Sequence, residues 1–229
     1  MRIAMIGQKG IATGGRAGGI ERHVREVAKR LAFIGHEVFV YARAKYDPEK
    51  PESFEGAQLI YLPTIYSKHI EAILHTFFAS VHAVRQDYDI IHYHGVGPAT
   101  LAWIPKLFAR NAKVVVTFHS QDRFHKKWGW FAKAYLLFGE WASVAFSDYC
   151  IAVSHEMQVF CRNRFKREVV YIPNGAELKN IEGCNELDKF GLKPGEYFIN
   201  VGRIVPQKGL HFLIEAYKKI KTDKKVVIV

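Results

Sequence analysis

The stretch RIAMIGQKGIATGGRAGGIERHVREVAKRLAFIGHEVFVYA, residues 2–42, decides the fold. Residues 3–6 form a short apolar run that reads as a buried strand, and a glycine-rich loop follows at once. Ile20, Val24, Val27, Ala28 and Leu31 then recur at helical spacing. The polar face of that helix pairs Glu21 with Arg25, Arg22 with Glu26 and Glu26 with Arg30, all at the i,i+4 spacing of helix-supporting ion pairs. Gly35 stops the helix, and residues 37–42 are a second strand.

The same alternation continues outward. Residues 58–62, 89–93, 113–118, 149–153 and 169–172 read as strands. Residues 67–86, 99–109, 128–146 and 154–163 read as helices, the last capped by Ser154. Strands apolar on both faces and separated by helices predict an α/β fold with a mainly parallel sheet covered on both sides. Between residues 173 and 195 the pattern breaks. Pro173, Gly175, Gly183, Gly191, Pro194 and Gly195 lie there among polar residues, as in a linker. The alternation restarts with a strand at 197–201, a helix at 209–220 and a strand at 226–229. Residues 1–192 are thus expected to form one complete domain and residues 193–229 the first β-α-β of a second. That opening is too short to bury a core of its own.

Composition narrows the classes. The 229 residues are 49% hydrophobic and 24% charged, which excludes disorder, collagen and coiled coil. The net charge of +11 directs attention to polyanionic partners: nucleic acid, an anionic membrane or phosphorylated substrates. Three cysteines without CxxC spacing make neither a disulfide framework nor a zinc site, and suit a reducing cytoplasm. The chain opens directly on a strand, with no room for a signal peptide. It has no apolar run of about 18 residues that would span a membrane.

Five groups of residues could carry chemistry. Gly10, Gly14, Gly15, Gly18 and Gly19 stand between the first strand and the first helix, with Lys9 and Arg16 beside them. Glycines there let backbone approach a phosphate, and the helix start offers free N–H groups. The loop is neither GxGxxG nor a P-loop, and the second strand ends in Arg43 rather than a ribose-binding acid, which disfavours a nicotinamide dehydrogenase. His92 and His94 end a strand on one face, but no third ligand accompanies them, so no metal is expected. His119 and Asp122 lie at the carboxyl end of the valine-rich strand, where ligands bind in this topology. Residues 123–131, with Arg123 and Lys127, interleave cations with aromatics. The helix that follows is apolar except for Lys133, Glu140 and Ser143, read as its polar stripe. Three readings stay open there: an interfacial helix on an anionic membrane, a groove for an anionic acceptor, or a helix buried on the sheet. Nucleic acid is not expected as a partner. Finally, Arg203 and Lys208 flank a proline turn at a helix start, where both would meet one anion such as a leaving pyrophosphate.

The run Gly202-Arg-Ile-Val-Pro-Gln-Lys-Gly209 resembles the R-x-x-P-x-K-G signature of family-4-type, retaining glycosyltransferases of GT-B fold. Ile6-Gly-Gln-Lys-Gly-Ile11 and Gly18-Gly-Ile-Glu-Arg-His-Val24 are similar to the same family, especially its rhamnosyltransferase-like branch, and Thr117-Phe-His-Ser-Gln-Asp122, Lys127-Trp-Gly129, Val153-Ser154 and Ile172-Pro-Asn-Gly175 are similar to the family too. The resemblance implies two Rossmann-like domains, the first binding the acceptor and the second the nucleotide sugar. It implies that Gly18 and Gly19 approach the donor diphosphate, that His119 lines the reaction centre, and that Arg203 and Lys208 hold the diphosphate as it leaves. Arg16, His94, Asp122, Arg123 and Lys127 are expected on the acceptor side. No cofactor is implied. The acceptor would be a saccharide or lipid-linked, in cell-surface polysaccharide synthesis, with the protein cytoplasmic or peripheral on the inner face of the membrane. The family's Glu-x₇-Glu donor motif has no counterpart in these 229 residues, so a truncated chain, inactive alone, is expected. A non-catalytic binding module and a sugar-nucleotide epimerase of the same architecture are the competing readings.

Overall fold

The computed structural model describes residues 1–11, 18–67, 70–124, 128–176, 185–202 and 204–229. The chain divides into two compact units, Met1–Gly175 and Ala176–Val229.

The first unit is built on an eight-stranded sheet. Its strands are β1 (Arg2–Ile6), β2 (Glu37–Ala42), β3 (Ser53–Phe54), β4 (Ala57–Tyr61), β5 (Ile90–His94), β6 (Lys113–Phe118), β7 (Tyr149–Ala152) and β8 (Val170–Tyr171). They lie in the order β3-β4-β2-β1-β5-β6-β7-β8. Every neighbouring pair is parallel except β3 with β4. That hairpin was not foreseen: β3 has two residues, too few to show a period. The helices are α1 (Gly19–Phe33), α2 (Glu71–Val84), α3 (Val96–Ala99), α4 (Trp103–Phe108), α5 (Trp130–Ala145) and α6 (His155–Phe165).

Alternation along β1 explains why the strands read as continuous apolar runs. Ile3 and Met5 turn to a core shared with Val24 and Ala28 of α1. Ala4 and Ile6 turn the other way, to Ala79 and Ala83 of α2. A third core joins Phe118, Cys150 and Ala152 to Leu136 and Val144 of α5 and Cys161 of α6. Each large apolar side chain so buried contributes about 1.5–3 kcal/mol. Helix α5 crosses close to α3: a Cβ added at Gly139 would stand 2.1 Å from Val96 O.

Three local expectations change. The helix read over 99–109 is two short helices, α3 and α4, joined by i→i+3 bonds such as Ala102 N to Ala99 O at 3.0 Å. Pro105 has no N–H with which to continue an α-helical ladder. On α1 only Glu26 pairs with Arg30 as read. Arg25 instead forks onto Glu55, at 2.7 and 2.8 Å, and Glu21 turns toward the glycine loop. On α5 two of the three stripe residues face inward, while Lys133 is exposed. Glu140 is 0% exposed and Ser143 donates to Gly139 O at 2.7 Å, while Trp130 (82% exposed) and Phe131 (73%) face water.

The second unit contains α7 (Asn185–Asp188), β9 (Tyr197–Asn200), α8 (Leu210–Tyr217) and β10 (Lys225–Ile228). Strands β9 and β10 pair in parallel, with Phe198 opposite Val226. None of its described residues is buried, and Phe198, Ile199 and Phe212 are exposed. No helix among the described residues is long and apolar enough to cross a membrane.

Candidate functional site

The sheet order reverses between β1 and β5, because the chain leaves β1 for β2 on one side and later returns to β5 on the other. In open parallel sheets such a switch point opens a crevice outside the carboxyl ends of the strands, and ligands bind there. Gly7 follows β1 at φ +117°, and a Cβ on it would meet His94 O at 2.8 Å and Pro98 Cγ at 2.7 Å. Glycine is what lets the first loop pass against the end of β5.

Residues 12–17, including Arg16, lie outside the described residues. The two ends of that loop are held by one side chain. Glu21 accepts from Gly18 N at 2.9 Å and from Lys9 N at 3.2 Å. The first bond is the N3-to-cap half of a capping box. Gly18 caps α1 and Gly19 opens it, so free N–H groups of a helix start stand beside the switch point. Among the described residues, a Cβ at Gly19 would meet nothing within 4 Å.

Histidines converge at the same place. His94 ends β5, His119 follows β6, and His23 lies in the first turns of α1. His94 Nδ1 is 3.4 Å from His119 Nε2. The rings of His23 and His119 meet edge to face at 4.7 Å, and His92 lies against His94 at 4.1 Å. His92 Nε2 bonds Thr117 Oγ1 at 2.7 Å, and His23 Nδ1 donates to Asn174 Oδ1 at 2.9 Å. Burial pushes the imidazoles down: His92 to about 3, His119 to about 4, and His94 well below its ordinary value. Burial also lowers His23, against the bond to Asn174. At neutral pH the cluster is therefore uncharged and offers lone pairs and N–H groups to a ligand.

The other expected residues divide. Asp122 accepts from Ser120 Oγ at 2.6 Å. Arg123 donates from Nε to both oxygens of Glu140, at 2.9 and 3.0 Å, and its guanidinium lies 4.2 Å from the Phe124 ring centre. Lys127 lies outside the described residues, as does Arg203. Lys208 is exposed in the second unit, ending a 3₁₀ turn at Pro206–Lys208 ahead of α8. Arg43 is buried and paired with Glu71 at 3.0 Å, so it serves the fold. His23, Glu21 and Asn174 were not singled out as site residues. All three lie in the family-like runs, and the usable signal for the first two was their place one turn into the helix that follows the glycine loop.

Residues 17–180 match the family model described as Glycosyltransferase Family 4. The chain belongs to this family. Among solved structures, the sucrose-phosphate synthase of Thermosynechococcus elongatus superposes with a TM-score of 0.75 at 21% identity, over 99% of this chain and 62% of that one. HepE of Anabaena, crystallised with UDP and glucose, gives 0.64 at 19%, over 100% of this chain and 60% of that one. A glycosyltransferase of Rickettsia africae gives 0.62 at 21%, over 99% and 59%. At these identities the likeness is one of fold, and it places the Glycosyltransferase Family 4 chain in the GT-B-type Rossmann-like class. The chain spans about three fifths of the length of these structures. A search of the curated proteins gave no match.

Proposed function

We propose that the protein carrying this chain transfers a sugar from a nucleotide-sugar donor to a saccharide or lipid-linked acceptor, with retention of anomeric configuration, in cell-surface polysaccharide synthesis. One observation carries the reading. In a member of Glycosyltransferase Family 4, a helix start opened by Gly18 and Gly19 and the histidines His94 and His119 meet at one switch-point crevice. The helix N–H groups suit a donor diphosphate. A neutral His119 suits a sugar hydroxyl, which it can meet as donor or acceptor without the cost of burying charge.

Residues 1–192 are then the acceptor side, and residues 193–229 open the donor side. Arg203 and Lys208 would neutralise the diphosphate as the glycosidic bond breaks, the step at which its charge grows. Since the 229 residues hold no Glu-x₇-Glu pair and none of the described residues of the second unit is buried, we propose that they turn over little by themselves. The outward Trp130 and Phe131, with the exposed Lys133, support a peripheral contact with an anionic membrane.

The test assays the protein, at the full length of its reading frame, against a panel of nucleotide sugars with saccharide and lipid-phosphate acceptors. Nucleoside diphosphate release with a product of unchanged anomeric configuration supports the proposal. An inverted product overturns retention, and absence of transfer with every pair overturns the activity.

A further inference from the structure

Helix α2 is turned inside out. Glu71, His75, Thr76 and Ser80 are buried, while Phe77 and Phe78 are exposed. A helix on a water-facing surface shows the opposite pattern. Helix α5 repeats it, with Glu140 and Ser143 buried and Phe138 and Trp141 exposed. Helix α4 adds Trp103, Leu107 (58% exposed) and Phe108 (65%). All three helices cover one face of the sheet. Ala79 of α2 and Ala102 at the start of α4 share a core with Val114 and Val116 of β6. Phe118, two residues further along β6 and on the same face, shares the next core with Leu136 of α5.

Between α2 and α4 runs a groove of about 340 Å³, lined by Phe77, Val81 and Val84 of the one and Trp103, Ile104 and Phe108 of the other. Exposed aromatics gathered in this way mark an interaction surface. Charge says what covers it. The acids on α2, α4 and α5 are Glu71 and Glu140, and both are buried. The exposed charges are cations: Arg85 lines the groove, Lys106 stands on α4, Arg110 follows it and Lys133 lies on α5. Lys106 pairs with Asp148 at 2.8 Å, and Arg85 and Arg110 have no ion pair among the described residues. A second copy docked here by two-fold symmetry would set these cations against their own kind. An anionic bilayer meets both features, since its acyl chains take the aromatics and its phosphates the cations.

We propose that the outer face of α2, α4 and α5 lies on an anionic lipid bilayer, with the groove between α2 and α4 open to the acyl chains. The proposal rests on the peripheral contact read from Trp130 and Phe131, and widens it from the start of α5 to a face of three helices. Helices α2 and α5 follow β4 and β6, so both begin at the carboxyl edge of the sheet, where the crevice opens. An acceptor anchored by a lipid then reaches the crevice from the bilayer.

The protein, at the full length of its reading frame, is titrated with phosphatidylcholine vesicles with and without phosphatidylglycerol, and binding is read by co-sedimentation. Salt-sensitive preference for the anionic vesicles is expected. Phe77→Ser/Phe108→Ser should weaken that binding about tenfold or more, and Arg85→Gln about fivefold. An unchanged Tm shows that the variants are folded; where the double variant melts early, Arg85→Gln carries the test. Native binding by both variants, while Trp130→Ser/Phe131→Ser loses it, overturns this proposal and leaves the contact at the start of α5. No binding by the native protein, or equal binding to neutral vesicles, overturns both contacts and leaves the transfer reading standing. A native dimer that Phe77→Ser/Phe108→Ser turns into a monomer, by light scattering, makes a second copy the occupant and overturns the proposal.

Discussion

His94 Nδ1 stands 3.4 Å from His119 Nε2 at the carboxyl end of the sheet. Strand pairing brings this about. β5 and β6 are in register with His94 opposite Thr117, and His119 follows two residues on, with the same alternation. The contact thus depends on register: a one-residue slip would turn one of the two histidines to the opposite face.

The buried imidazoles make stability depend on pH. Burial holds His75 at about 4 and His92 at about 3. Their unfolded forms take up protons below about 6.5. The unfolded state therefore binds more protons as pH falls, and stability present above pH 6.5 is lost toward pH 4. Each group contributes about 1.4 kcal/mol per pH unit in that window. Urea unfolding at pH 7 and pH 5 should show a loss on the order of 2–4 kcal/mol. His75→Gln should flatten the dependence, whereas equal stability at both pH values would contradict the assignment.

Arg123 and Glu140 are coupled. Burial raises the Glu140 carboxyl, and Arg123 works against that shift through charge and a two-pronged bond. Arg123→Ala strands a buried carboxylate and should cost about 3 kcal/mol or more. Adding Glu140→Gln should recover a large part of it, as thermal melts of the single and double variants would show. A Tm unmoved by Arg123→Ala would mean that the arginine serves only the acceptor.

At Gly7 the requirement is steric. Gly7→Ala places a methyl within 3 Å of His94 O and Pro98 at φ +117°. It should destabilise by about 1–3 kcal/mol and disturb the crevice. Native stability in that variant, measured by urea unfolding, would mean that the loop can take another path.

The outward face of α5 suggests a membrane experiment. Vesicles rich in anionic lipid should bind the chain in a salt-sensitive way, and Trp130→Ser/Phe131→Ser should weaken binding about tenfold or more. Equal binding to neutral vesicles, or no binding to either, would remove the membrane from the account.

The sequence made the sheet legible because both of its faces are covered: β1, β2 and β6 show as unbroken apolar runs. Ser154 was legible as a cap, and its Oγ accepts from Met157 N at 3.2 Å. The direction of Glu140 was not legible, because a helix pattern shows that polar residues share a face, and not which way that face points. Here Arg123 meets the carboxylate of Glu140 that the fold buries, while Lys133 stays outside. The histidine cluster was half legible. His94 and His119 sit at strand ends, where topology makes them suspects. His23 reaches them only through the packing of α1 on the sheet, a tertiary fact that no period in the sequence carries. Gly18 and Gly19 were legible as the opening of a helix, but Glu21 as the tie across the loop was hidden by its apparent i,i+4 partner, Arg25.

The most direct test of the central claim is the kcat/KM of His119→Ala for nucleotide-sugar-dependent transfer, in the protein at the full length of its reading frame. If the crevice of His94 and His119 is the reaction centre, the variant should fold with near-native Tm and lose about a hundredfold or more in kcat/KM. A folded His119→Ala protein that transfers at the native rate would place the reaction elsewhere.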